Sequence, residues 1–115
     1  QQALSRNAQF KMAGYDTLGA CTFAGFGFAA APGTIRDLLN ARYSWTVGDT
    51  ILQDLGRKTI QLEREFNRGA GFTAVDDRLP YWMTREPLAP TGAVFNVADE
   101  VLDTIFDPPS AASAY

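Results

Sequence analysis

The sequence predicts a small all-α domain of about five helices, joined by irregular Gly/Phe-rich and Pro-rich connections. Apolar residues recur at steps of three and four in several stretches, and the period-two alternation typical of β-strands is sustained nowhere. The chain has 115 residues, 46% of them hydrophobic, which suits one domain with a core and argues against wholesale disorder. We therefore treat residues 1–115 as a single helical domain with a disordered tail at 108–115.

Capping signals and apolar spacing place the first three helices. Residues 1–13 read as a helix that ends at Gly14, because glycine is a common stop. The next helix begins at Thr34, a good N-cap residue. A longer one begins at Thr46, with Asp49 in the position of a capping-box acid.

The long helix carries the clearest pattern, and its glycines have separate predicted roles. Gly56 lies inside the helix, where it costs about 1 kcal/mol relative to alanine, and so marks a close helix contact. Gly69 or Gly71 supplies the left-handed stop. The apolar stripe of this helix consists of Ile51, Leu55, Thr59, Leu62 and Phe66, with Leu52 beside it.

The last helix is predicted to begin at Asn96 and to end before Pro108-Pro109. Its buried face is predicted to hold Val101, Leu102, Ile105 and Phe106. A long connection with three prolines and at most a short helical turn precedes it.

Composition excludes several classes of function. The net charge is −3 and no basic stripe is present, which argues against a nucleic-acid partner, and no apolar run approaches the ~20 residues of a membrane span. The chain has no histidine, so it cannot carry Ser-His-Asp or Cys-His catalysis alone. A single cysteine forms neither an internal disulfide nor a closed zinc site, which favours a reducing compartment and hence the cytoplasm. The start at Gln1, with no leader-like segment, suggests a processed chain or a piece of a longer protein.

That cysteine, Cys21, stands in the stretch DTLGAC at residues 16–21. A lone cysteine among Gly, Ala and Phe usually behaves as a small buried hydrophobe. The alternative is a thiolate metal ligand. Composition and spacing leave both interpretations open.

Two motifs in the same order resemble the C-terminal part of the tungsten-containing aldehyde:ferredoxin oxidoreductases. Residues 16–21 match the family's D-x-x-G-L-C at Asp16, Gly19 and Cys21, with Ala20 in place of leucine. Residues 62–80, LEREFNRGAGFTAVDDRLP, are similar to a second family signature, and REPL at 85–88 fits the short motif that follows.

The resemblance implies roles for four residues. Cys21 would be the fourth ligand of a 4Fe–4S cluster, and Asp16 would bind the amino-pterin end of one of two metal-holding pterins. Backbone groups at Gly19 and Ala20 would approach the same pterin. The chemistry is suitable, because a carboxylate accepts hydrogen bonds from amine and ring N–H groups and a thiolate is the usual cluster ligand.

The resemblance also implies what the whole protein does. It would oxidise an aldehyde to a carboxylate at a tungsten (or molybdenum) bis-pterin centre and pass electrons through the 4Fe–4S cluster to ferredoxin. The family's C-x-x-C-x-x-x-C run is absent, so this domain would be inactive alone and would pack on the N-terminal domains of its own chain. The apolar face left bare for them could also pair two copies as a homodimer.

A second interpretation is a helical protein–protein interaction module without a cofactor, in which Cys21 is buried in the core. The aromatics Phe23, Phe26 and Phe28 would either pack in that core or, in the enzyme, line a channel or shield the cluster. Asp76 and Asp77 are expected to form a solvated turn with Arg78 pairing locally.

Overall fold

The computed structural model describes residues 2–107. Across this range the chain forms five α-helices, three 3₁₀ turns and no β-strand, which confirms the all-α class. The helices are α1 (Gln2–Thr17), α2 (Gly25–Ala30), α3 (Thr34–Tyr43), α4 (Ile51–Gly69) and α5 (Asp99–Asp103); the 3₁₀ turns are Thr22–Ala24, Ala74–Asp77 and Tyr81–Thr84. The predicted tail at 108–115 and the Pro108-Pro109 stop lie outside the described residues.

The chain divides into two compact units, of which the first comprises Ala3–Phe66 and the second begins at Asn67. None of the helices between residues 2 and 107 has the length and apolar character that a membrane crossing requires.

A close crossing of α1 and α4 organises the first unit. A Cβ atom at Gly56 would overlap the carbonyl oxygen of Phe10, and one at Gly14 would overlap that of Leu52. The predicted close contact at Gly56 is therefore confirmed. The predicted stop at Gly14 is wrong, since α1 continues to Thr17 and uses this glycine for packing.

Helix α3 begins at Thr34 as predicted, but Thr34 is not its N-cap, and the start predicted for the long helix is displaced. Gly33, at φ 90°, precedes α3, and the Thr34 hydroxyl donates to the Ala31 carbonyl oxygen (2.7 Å) instead of capping the helix. The long helix begins at Ile51 and not at Thr46. The reason is visible at Val47, whose N–H and C=O both bond the side-chain amide of Asn40 and so hold the segment outside the helix.

The C-terminus of α4 follows the prediction. Gly71 has φ 94°, its N–H donates to the carbonyl of Arg68 (3.1 Å), and the N–H of Phe72 donates to that of Asn67 (3.0 Å). This pair of bonds is a Schellman motif. The apolar stripe is only partly covered, because Leu62 is exposed and Phe66 is 75% exposed.

In the second unit, Arg78 connects the segment after α4 to α5. Its Nε contacts Asp99 Oδ2 (3.1 Å) and its Nη2 contacts Asp103 Oδ1 (2.8 Å), and both carboxylates hold the pKa of this arginine above its usual value. The sequence predicts a local ion pair for Arg78, but the ion pairs in the structure join it to α5. Asp76 instead accepts the backbone N–H of Thr73 (2.7 Å) in a capping box.

The start of the last helix is also corrected. It runs from Asp99 to Asp103, with Ala98 in the N-cap position, so the predicted cap at Asn96 and the predicted extent to Phe106 are both wrong. Of its predicted buried face, Val101 is exposed and Leu102, Ile105 and Phe106 are half-buried.

Candidate cofactor-binding segment

The stretch that carries the first family motif folds as the end of a helix followed by a tight turn. The N–H of Ala20 donates to the carbonyl of Tyr15 (2.9 Å), and the N–H of Gly19 donates to that of Asp16 (3.0 Å). Gly19 has φ 66°, a conformation that costs other residues more than glycine. The bonds form a second Schellman motif, so the fold itself explains this glycine.

Asp16 lies in the last turn of α1, and its side chain is exposed. No basic residue shares that turn. Carbonyl dipoles make the C-terminal end of a helix negative, and an exposed carboxylate there is unfavourable by about 0.3–1 kcal/mol. Because the fold gains nothing from this charge at this position, the carboxylate is available for a ligand.

Cys21 directly follows the turn, in extended backbone (φ −60°, ψ 133°) ahead of the 3₁₀ turn Thr22–Ala24. Its thiol is free and exposed. The interpretation of Cys21 as a small core residue is therefore wrong for this structure. Exposure is unusual for cysteine, which is among the most buried residue types.

The backbone between these two side chains presents acceptors. The N–H groups of Gly19 and Ala20 are used within the turn, which leaves their carbonyl oxygens for a ligand. A Cβ atom built on Gly19 meets nothing within 4 Å, so the space beside it is open. A carboxylate and two carbonyls suit a ligand that donates hydrogen bonds, as the amino edge of a pterin does.

Few side chains near Cys21 could act as metal ligands. Within residues 2–107, no group of three or more His, Cys, Asp or Glu side chains is arranged to hold a metal ion. Cys21 can thus supply one thiolate, and a cluster bound there would take its other ligands from elsewhere. One thiolate is compatible with a single ligand position of a 4Fe–4S cluster.

The phenylalanines after Cys21 do not share one environment. Phe23 is 80% exposed and Phe26 is 78% exposed. Phe28 instead stacks on the buried ring of Tyr15, with centroids 6.1 Å apart. Packing of all three in a core is therefore wrong, and the two exposed rings lie within five residues of the thiol.

A cavity of about 470 Å³ opens elsewhere in the first unit, between α1, α2 and the starts of α3 and α4. Lys11 and Tyr15 line it, and none of the four residues predicted to bind a cofactor does. Sequence reasoning missed this feature, because Lys11 looks like an ordinary polar residue of an amphipathic helix.

Comparisons with known proteins agree with the two motifs. A family model described as aldehyde ferredoxin oxidoreductase, domains 2 and 3, matches residues 1–107. A tungsten-containing aldehyde ferredoxin oxidoreductase of Pyrococcus furiosus is 38% identical over 74 residues, which is 64% of this chain and 12% of that protein. No solved structure matches. The chain belongs to the aldehyde ferredoxin oxidoreductase family and corresponds to its domains 2 and 3.

Proposed function

We propose that this chain is the C-terminal part of an oxidoreductase that converts aldehydes to carboxylates and delivers the electrons to ferredoxin. Within it, Cys21 would hold the fourth iron of a 4Fe–4S cluster. Asp16, with the carbonyls of Gly19 and Ala20, would bind the amino edge of a pterin. The bound tungsten or molybdenum bis-pterin would supply the two-electron chemistry, and the cluster would supply one-electron transfer.

The observation that carries the proposal is the pairing of an exposed thiol with an exposed carboxylate across one rigid turn. The Schellman bonds hold the backbone from Tyr15 to Ala20, so the turn between the two groups is formed before any ligand arrives. Pre-organisation of this kind lowers the entropic cost of binding. The chain itself would bind and position the cofactors and would be inactive alone, since it contributes one cluster ligand.

The alternative is a helical interaction module with no cofactor. It requires Cys21 in the core, and the exposure of the thiol counts against it. The exposed apolar side chains of α4, Leu62 and Phe66, suit either function, because a covered domain face and a partner surface have the same composition.

The test is metal analysis of the natural full-length protein, purified without oxygen, as wild type and as Cys21→Ser. We expect a 4Fe–4S cluster and tungsten or molybdenum in the wild type. The Cys21→Ser protein should lose iron or show the altered electron paramagnetic resonance spectrum of a changed cluster. Thr22→Ser, beside the thiol, is the matched control and should keep the wild-type spectrum.

Two results would contradict the proposal. One is a natural protein without iron and without tungsten or molybdenum. The other is a Cys21→Ser variant whose iron content and spectrum equal those of the wild type. The first result would favour the interaction module.

A further inference from the structure

The cavity of about 470 Å³ in the first unit lies within the volume range of small-molecule sites. Residues of α1, α2, the start of α3 and the start of α4, with the turn between α2 and α3, form its walls. The residues used in the following argument are Lys11, Tyr15, Phe28, Arg36, Asp49 and Leu52, all of which line the cavity.

The charged groups of the cavity leave one cation uncommitted. Arg36 pairs with Asp37 (2.8 Å) and with Asp49, so both carboxylates share its single positive charge. The Lys11 ammonium lies 5.9 Å from the ring centroid of Tyr15, and no carboxylate among residues 2–107 pairs with it. Lys11, Arg36, Asp37 and Asp49 together are neutral, so the positive charge offered to a ligand is local to the Lys11 ammonium.

The remaining wall is apolar and firmly held. Tyr15 is 2% exposed, and its ring is stacked on Phe28. Leu52 packs close to Gly14 at the helix crossing, with Cδ1 2.9 Å from where a Cβ would lie. An aromatic and aliphatic wall beside a single ammonium suits an amphiphilic anion, whose hydrocarbon body contacts the rings while its charge meets the lysine.

We propose that this cavity binds a small organic carboxylate, with the carboxylate on the Lys11 ammonium and the hydrocarbon body against Phe28 and Leu52. A neutral aldehyde or amide of the same shape would lack the ionic contact. Carboxylates are also the products of aldehyde oxidation. This last link, that the natural ligand is the reaction product, rests on the function proposed above, whereas the binding itself does not.

The experiment uses the natural full-length protein and observes a fluorinated ligand by ¹⁹F line broadening. 4-Fluorobenzoate is titrated against the wild type, and 4-fluorobenzamide serves as the neutral isostere. Lys11→Met keeps the length of the side chain and removes its charge. Lys58→Met, at an exposed position of α4, is the matched control.

We expect 4-fluorobenzoate to bind at least tenfold more tightly than 4-fluorobenzamide. Lys11→Met should weaken the benzoate about tenfold, and Lys58→Met should leave it unchanged. Equal binding of the two probes, absence of benzoate binding, or an unaffected Lys11→Met variant would overturn the proposal. The last outcome would assign any benzoate binding to another site.

An acidic side chain from another part of the full-length protein could supply the same carboxylate chemistry. In that case the wild type would not bind the free benzoate, while Lys11→Met would lower its melting temperature and Lys58→Met would not. That result overturns the small-molecule proposal. Metal analysis of the same samples reports on the cofactor proposal separately, so the two can fail independently.

Discussion

Replacement of Asp16 by asparagine should make the fold more stable while it weakens cofactor retention. The side chain keeps its size and its ability to accept a hydrogen bond, and only the charge in the last turn of α1 is removed. Relief of the unfavourable interaction with the helix dipole is worth about 0.3–1 kcal/mol for an exposed group. For a chain of about this length that corresponds to a rise in melting temperature of roughly 1–8 °C.

Thermal unfolding at low salt measures this gain directly. In about 1 M salt the Debye length is roughly 3 Å, so most of the gain should vanish. Asp54→Asn is a control of opposite sign, because Asp54 lies in the first turn of α4, where an acid is favourable. It should lose stability by a similar amount under the same conditions.

The functional half of the prediction is measured as pterin and tungsten content of the full-length protein. Asp16→Asn should lower both, because a carboxylate accepts from an amine more strongly than an amide does. A variant that is no more stable than the wild type would refute the dipole argument. A variant with unchanged cofactor content would refute the assignment of Asp16 as a ligand.

Two further changes test the fold. Gly56→Ala must separate α1 from α4, which should cost about 1–3 kcal/mol of overpacking against a gain of about 1 kcal/mol in helix propensity. Gly69→Ala is the control, because the space around Gly69 is open and the substitution should not destabilise the protein. Urea unfolding measures the stability of both variants, and a Gly56→Ala protein as stable as Gly69→Ala would contradict the close crossing of the helices. The hydrogen bond from Arg36 holds the pKa of Asp37 below its usual value, so its contribution to stability is present above about pH 4 and is lost as pH falls through the depressed pKa. Asp37→Asn should flatten the pH dependence of stability below about pH 4, and an unaltered acid limb would contradict the ion pair.

The elements that the sequence predicts well are those set by local chemistry. The amphipathic spacing identified α4, and the left-handed stop at Gly71 follows from glycine itself. The wrong start at Thr46 has a different cause. Thr46 has the right chemistry for a helix start. The side-chain amide of Asn40, however, bonds the backbone N–H and C=O of Val47, and no local sequence pattern predicts that contact.

Gly14 is a second position where a contact distant in sequence overrides the local prediction. A glycine inside a helical pattern predicts a stop because its conformational cost is local. In the structure this glycine instead allows α1 to pack closely on α4, where Leu52, thirty-eight residues later in the chain, contacts it. The exposure of Cys21 and the Lys11 cavity also depend on tertiary placement, so composition could not distinguish a core thiol from an accessible one.

The two family motifs can now be separated into residues that the fold explains and residues that it does not. Gly19 and Gly71 occupy equivalent positions in two Schellman turns, and each has a positive φ. Their presence is a requirement of helix termination and carries no information about a ligand.

Asp16 and Cys21 have no comparable structural reason. The first sits at the unfavourable end of a helix dipole, and the second leaves a free thiol in solvent. Substitution of either would leave the turn intact, because both Schellman bonds are made by backbone atoms. The two residues stand on either side of one turn and leave a carboxylate and a thiol exposed, which is why the proposed cofactor roles are tested at these two positions.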